Sequence, residues 1–163
     1  MHFFIFFFPL INIFGSNKPF DLYKIEKKPT QHTLLIVGGI HGDEPGGYFA
    51  PAVLEKYYKI KSGNLWIIPN LNVDSIIANT RGINGDMNRK FNVIDKKDKD
   101  LLSVNRVKEI ILEKRVDLIL NLHDGFGFYR DIYEDAVFNP NSWGQATIID
   151  QEKIDDKFGN LDE

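Results

Sequence analysis

His41-Gly42-Asp43-Glu44 sets an imidazole and a carboxylate three residues apart, where a single turn leading into a helix could aim both at one point. His123, 79 residues further on, offers a second imidazole. Two imidazoles and a carboxylate are donors that Zn2+ accepts, and a site with three protein ligands keeps a fourth position open for water or substrate. The chain has no cysteine, so any metal must be held by His and carboxylate groups. Between the two pieces runs a glycine-rich segment from Arg81 to Phe91 that contains Asp86, Asn88 and Arg89. Arginines recognise carboxylates through forked, paired hydrogen bonds. The bland readings carry weight for each piece alone. His-x-x-Glu is common by chance, a lone His at a strand end is usually a surface or capping residue, and loop arginines usually face water. The pieces gain force by following separate apolar segments.

Those segments must do the positioning. Thr33 to Val37 is a continuous apolar run ended by Gly38-Gly39, the mark of a strand buried on both faces. Gly46-Gly47 leads into an expected helix from Tyr48 to Ile60, with Val53, Tyr57 and Ile60 on one face. Leu65 to Ile68 reads as a second strand, closed by Pro69-Asn70. Asn79 to Phe91 has no periodicity and reads as a loop; long loops of this kind are more often functional than idle. The charge run Asp95 to Asp100 reads as a solvated turn without a functional role. Leu101 to Lys114 is amphipathic through Val107, Ile110 and Ile111, and is expected to pack on the sheet. Val116 to Leu122 is expected to be another buried strand, and Lys18 to Thr30 a lead-in loop with a short edge strand. This order gives an α/β fold with a mainly parallel sheet, in which ligands bind beyond the carboxyl ends of strands. His41, Glu44 and His123 all fall at such ends.

The bulk properties narrow the function. A net charge of −3 gives no reason to expect nucleic acid or an anionic membrane as partner. Phe3 to Phe14 is almost wholly apolar, shorter than the roughly 20 residues of a membrane span. It suits the apolar core of a secretory signal, with Gly15-Ser16 available for cleavage, although no Lys or Arg precedes it. A short anchor or a buried start are the other readings.

His-Gly-Asp-Glu after a Gly-Gly strand end, Arg-(x)4-Asp-x-Asn-Arg-x-Phe, and Leu-His-Asp-Gly at a strand end together resemble zinc carboxypeptidases of the carboxypeptidase A type. The stretch from Asn121 to Tyr129 is most similar to the peptidoglycan DL-carboxypeptidases that determine cell shape in helical bacteria. The resemblance is strong from Thr33 to Tyr129 and weaker from Trp143 to Asp150. Acyl-amino-acid deacylases (aspartoacylase and succinylglutamate desuccinylase) share part of it. The resemblance implies a three-layer α/β fold with a mainly parallel mixed sheet, incomplete at the C-terminus. It implies one zinc ion per chain held by His41, Glu44 and His123, with Asp86 steadying the first histidine. Arg81 matches the arginine that stabilises the oxyanion, and Asn88 and Arg89 match the pair that grips the substrate carboxylate. Asp43 stands where the digestive enzymes carry a basic residue.

On this reading, residues 1–16 are a signal peptide and 17–163 the N-terminal part of a catalytic domain, periplasmic or secreted, acting on a peptide or muropeptide. The alternatives are a zinc-dependent N-acyl amino acid deacylase and a non-catalytic zinc- or muropeptide-binding remnant. The general-base glutamate of the family lies well after the third ligand. Glu134, Glu152 and Glu163 are the only glutamates after His123, and none is assigned. The chain is therefore expected to be a fragment with an open sheet edge, poorly stable and nearly inactive alone.

Overall fold

The apolar runs at Thr33–Val37 and Gly63–Ile68 pair as parallel strands, and because they are buried on both faces they need a covering layer on either side. The computed structural model describes residues 19–27, 32–113, 116–142 and 144. Strand β1 is Tyr23–Lys27, β2 is Thr33–Val37, helix α1 is Pro45–Tyr57, β3 is Gly63–Ile68, and α2 is Val73–Ile77. A single 3-10 turn, Met87–Arg89, precedes α3 (Leu101–Glu113) and β4 (Leu118–Asn121). The sheet order is β1-β3-β2-β4. β2 runs parallel to both β3 and β4, and β1 lies antiparallel along β3.

Alternation sorts the side chains into two layers. Leu35, Val37, Trp66 and Ile68 pack with Val104, Val107 and Ile110 of α3. Ile36, Leu65 and Ile67 face the other way, against Leu54 of α1, Ile60 and Leu122. Helices therefore cover both sheet faces, giving the expected three layers. Among the described residues, the α3 side holds eleven buried apolar residues against three on the other. At roughly 1.5–3 kcal/mol for each large side chain buried, the α3 face carries most of the hydrophobic stabilisation.

The chain divides into two compact units, Met1–His123 and Asp124–Glu163. In the second, β5 (Phe128–Tyr129) pairs in parallel with β6 (Phe138–Asn139).

Three expectations need correction. Helix α1 begins at Pro45, suited to a first-turn position, and ends at Tyr57. The expected inner face is wrong at Val53 and Tyr57, which are 55% and 69% exposed. The buried residues of α1 are Gly47 and Pro51. A Cβ on Gly47 would stand 2.8 Å from the Leu122 carbonyl oxygen, and one on Gly38 would stand 2.3 Å from the Gly47 oxygen. The helix thus meets the sheet by close backbone approach, which leaves its bulky residues outside. Strand β4 is not buried on both faces: Ile119 and Leu120 are exposed. It is the outer strand, paired only with β2 among the described residues, and is the open edge expected of this sheet. The charge run is not a freely solvated turn, because Asp100 is buried and Asp98 and Asp100 both bind Lys90.

The apolar N-terminus, Glu152, Glu163, Trp143 and Gln145 to Asp150 lie outside the described residues. Among the described residues, no helix is long and apolar enough to cross a membrane.

Candidate metal centre

Strands β2 and β4 are parallel neighbours, so the residues that follow them emerge on the same rim of the sheet. His41 comes four residues after β2, and His123 two residues after β4. The path from β2 to His41 is tightly built. Gly39 has φ +68, a conformation that favours glycine. A Cβ on Gly42 would lie 1.9 Å from the Ser75 carbonyl oxygen, so only glycine lets this turn rest on α2. Asn72 caps α2 by accepting the Ser75 N–H at 3.3 Å, and the Gly42 N–H donates to the Thr80 oxygen at 3.0 Å. Glu44 is the N-cap of α1, yet its side chain makes no capping hydrogen bond. Its carboxylate instead faces the histidines.

Glu44 Oε1 lies 2.8 Å from His41 Nδ1, and Oε2 lies 2.8 Å from His123 Nδ1. The two rings are 4.9 Å apart at a tilt of 50°. One donor atom from each of His41, Glu44 and His123 falls within 4.8 Å of the others. Ligands around a tetrahedral ion with bonds near 2.1 Å are roughly 3.4 Å apart, so small side-chain adjustments suffice. The proton count also fits a cation. His41 Nε2 faces Asp86 Oδ1 at 2.9 Å, so both of its nitrogens meet carboxylate oxygens. A neutral imidazole has only one N–H. If that proton points to Asp86, the bare Nδ1 and the Glu44 oxygen form a pair of acceptors that a metal ion would satisfy.

Asp86 joins this cluster to the loop. Its Oδ1 also accepts the Asn88 N–H at 2.9 Å, capping the 3-10 turn. Arg81 donates to its Oδ2 through Nε at 3.2 Å and Nη2 at 3.0 Å, and to Glu44 Oε1 through Nη1 at 3.2 Å. Burial alone would push the Asp86 carboxyl up. Hydrogen bonds from His41, Arg81 and the Asn88 N–H outweigh it and hold the group at about 2. Met87, 1% exposed, anchors the same turn in the core.

The structure thus gathers His41, Glu44, His123, Asp86 and Arg81, and sets Asn88 and Arg89 on the turn that Asp86 caps. Arg89 is exposed, with Nη1 3.5 Å from the Asn88 oxygen. Asp43 is exposed, and Glu134, in the second unit, lies 3.9 Å from Arg130. Sequence reasoning missed Asn121, whose amide nitrogen stands 3.0 Å from His123 Nε2. The signal was available: residues two apart along a strand and its extension share a face. It also missed the partners of Lys90.

No curated protein matches the chain. Solved structures do. Product-bound cell shape determinant Csd4 from Helicobacter pylori is 37% identical with a TM-score of 0.76, over 87% of this chain and 35% of that one. The mDAP-bound form of the same H. pylori protein, a D,L-carboxypeptidase, gives 37% and 0.73, over 85% and 34%. An aspartoacylase family protein from Mesorhizobium loti is 26% identical with a TM-score of 0.57, over 68% and 35%. The chain spans about a third of the length of these structures. The family described as the catalytic part of the carboxypeptidase controlling helical cell shape matches residues 5–163, and the chain belongs to that family.

Proposed function

We propose that this chain carries the metal-binding part of a zinc-dependent carboxypeptidase that removes the C-terminal residue of a peptidoglycan stem peptide. The observation that carries the reading is the convergence of both Glu44 oxygens on the Nδ1 atoms of His41 and His123. These three residues would hold the ion, with zinc the first choice for such a donor set. When bound, it supplies Lewis-acid polarisation of a carbonyl and a lowered pKa for water.

The chain's own residues do the rest. Asp86 fixes the His41 ring by accepting at Nε2, the usual partner of a metal-bound imidazole. Asn88 and Arg89 take the terminal carboxylate of the peptide, for which the exposed guanidinium has the forked geometry. Arg81 places positive charge beside Glu44, where an oxyanion would develop. No glutamate of this chain is assigned as general base. The segment 1–16 acts as an export signal and 17–163 as the first part of the catalytic domain, because stem peptides lie outside the cytoplasm. A terminal meso-diaminopimelate or D-residue is the leaving group that the likeness to Csd4 favours.

The test is hydrolysis of muropeptides by the zinc-loaded full-length protein, beside a panel of N-acyl amino acids. Release of the terminal residue from muropeptides is expected, and its loss on chelation. The deacylase reading rests on the weaker likeness to the aspartoacylase family protein. Activity on N-acyl amino acids alone would favour it and overturn the carboxypeptidase.

A further inference from the structure

Lys90 has no part in the metal cluster, yet it is one of the most heavily bonded side chains among the described residues. Its ammonium donates to the Asn84 carbonyl oxygen at 2.7 Å, to Asp98 Oδ1 at 3.0 Å and to Asp100 Oδ2 at 2.8 Å. Asn84 closes the ring by donating from Nδ2 to Asp100 Oδ1 at 3.0 Å. The side chains are shielded, at 12% exposure for Lys90 and 6% for Asp100. An ammonium has three protons, and three residues supply the oxygens that meet them, Asp98 with both of its carboxylate oxygens, Oδ2 at 2.8 Å. Buried charges persist only when paired and hydrogen-bonded in this way. Asp98 further accepts the Asp100 N–H at 2.8 Å, so its carboxylate is held by its own segment as well.

The position of this knot is what matters. Lys90 is the C-cap of the 3-10 turn whose N-cap is Asp86. The turn is therefore pinned at one end by Asp86 to the metal cluster and at the other by Lys90 to residues 98 and 100. Asn88 and Arg89 lie between the pins. Arg89 is exposed, and among the described residues its side chain has a single hydrogen-bond contact, 3.5 Å to the Asn88 oxygen. Its aim is set by the backbone that carries it. We infer that the Lys90–Asp98–Asp100 clamp is a positioning device that fixes the Asn88–Arg89 turn for binding a substrate carboxylate. The functional meaning rests on the carboxypeptidase reading; the clamp itself does not. Burial works against the charge on Lys90, but its bonds to Asp100 and Asp98 raise its pKa, so the clamp stays charged across the physiological range.

Two measurements decide it. In the zinc-loaded full-length protein, Lys90→Met is expected to raise KM for a muropeptide about tenfold or more while zinc content and kcat hold, and Lys90→Arg to restore most of the loss. On an Arg89→Ala background the same change is expected to add less than about twofold, since both act on one interaction. A lowered melting temperature with KM unchanged, or full additivity with Arg89→Ala, would overturn the inference. In the present chain, Lys90→Met is expected to speed amide exchange at Arg89 and Lys90, with β2 amides unchanged. Unaltered exchange at those two positions overturns the clamp whatever the substrate. If the wild type cuts no muropeptide, the carboxypeptidase reading fails while the exchange arm still decides. Should Lys90→Met not fold, Asp98→Asn serves, with the same changes in smaller degree expected and their absence counting against the clamp.

Discussion

The two histidines that meet at Glu44 stand in very different surroundings. The side chain of His41 is 1% exposed and that of His123 is 33% exposed. His41 is wedged between two carboxylates on a turn that a glycine seats against α2, whereas His123 follows the outer strand β4. The lesson is that one side of the candidate centre is fixed by the fold before any ion arrives. The other is supplied by a strand whose outer edge and apolar residues are exposed. Ordering costs free energy, so the His41–Glu44–Asp86 side should set the geometry and the His123 side should adapt to it.

The most severe way to break this contrast is Gly42→Ala. Its Cβ would lie 1.9 Å from backbone oxygen, with no flexible side chain to yield. A loss of about 4 kcal/mol or more in denaturant unfolding is expected, or no folded protein. The next is the pair His41→Ala and His123→Ala. Calorimetry should show zinc affinity falling by about a thousandfold or more in each, because either change removes one of three ligands. The contrast predicts a difference in stability: His123→Ala should change unfolding by about 0.5 kcal/mol at most, as surface changes do, and His41→Ala by several times that. Asp86→Asn sharpens the point on the buried side. It keeps the shape of the partner of His41 but removes its charge, and should weaken zinc about 10- to 100-fold.

The smallest effect is a pH dependence outside the centre. Lys90, and then the Asp100 N–H, hold the Asp98 carboxyl below its ordinary value of 3.8. A carboxyl lowered in the fold adds stability that is present above its unfolded pKa and lost as pH falls through the folded one. Amide protection at Arg89 and Lys90 should therefore hold at neutral pH and decline below about pH 4, earlier than protection in β2.

The same contrast marks what could be read from sequence. The strands were legible because unbroken apolar runs have few other fates. The meeting of His41, Glu44 and His123 on one rim follows from placing each after a parallel strand. The inner face of α1 was not legible, because helical periodicity weighs side-chain size. Gly47 and Pro51 instead let the backbone approach the sheet. Exposure of Ile119 and Leu120 could not be inferred from their own apolar character, which says nothing of which strand lies outermost. The Lys90 clamp was hidden in a mixed charge run whose burial depends on a fold-back of eight to ten residues.

The most direct test follows the imidazole nitrogens of His2, His32, His41 and His123 by NMR during a zinc titration of this chain. The Nδ1 signals of His41 and His123 are expected to shift together and saturate at one equivalent, with His2 and His32 unmoved. A shift confined to one of the pair, or led by His32, would contradict it.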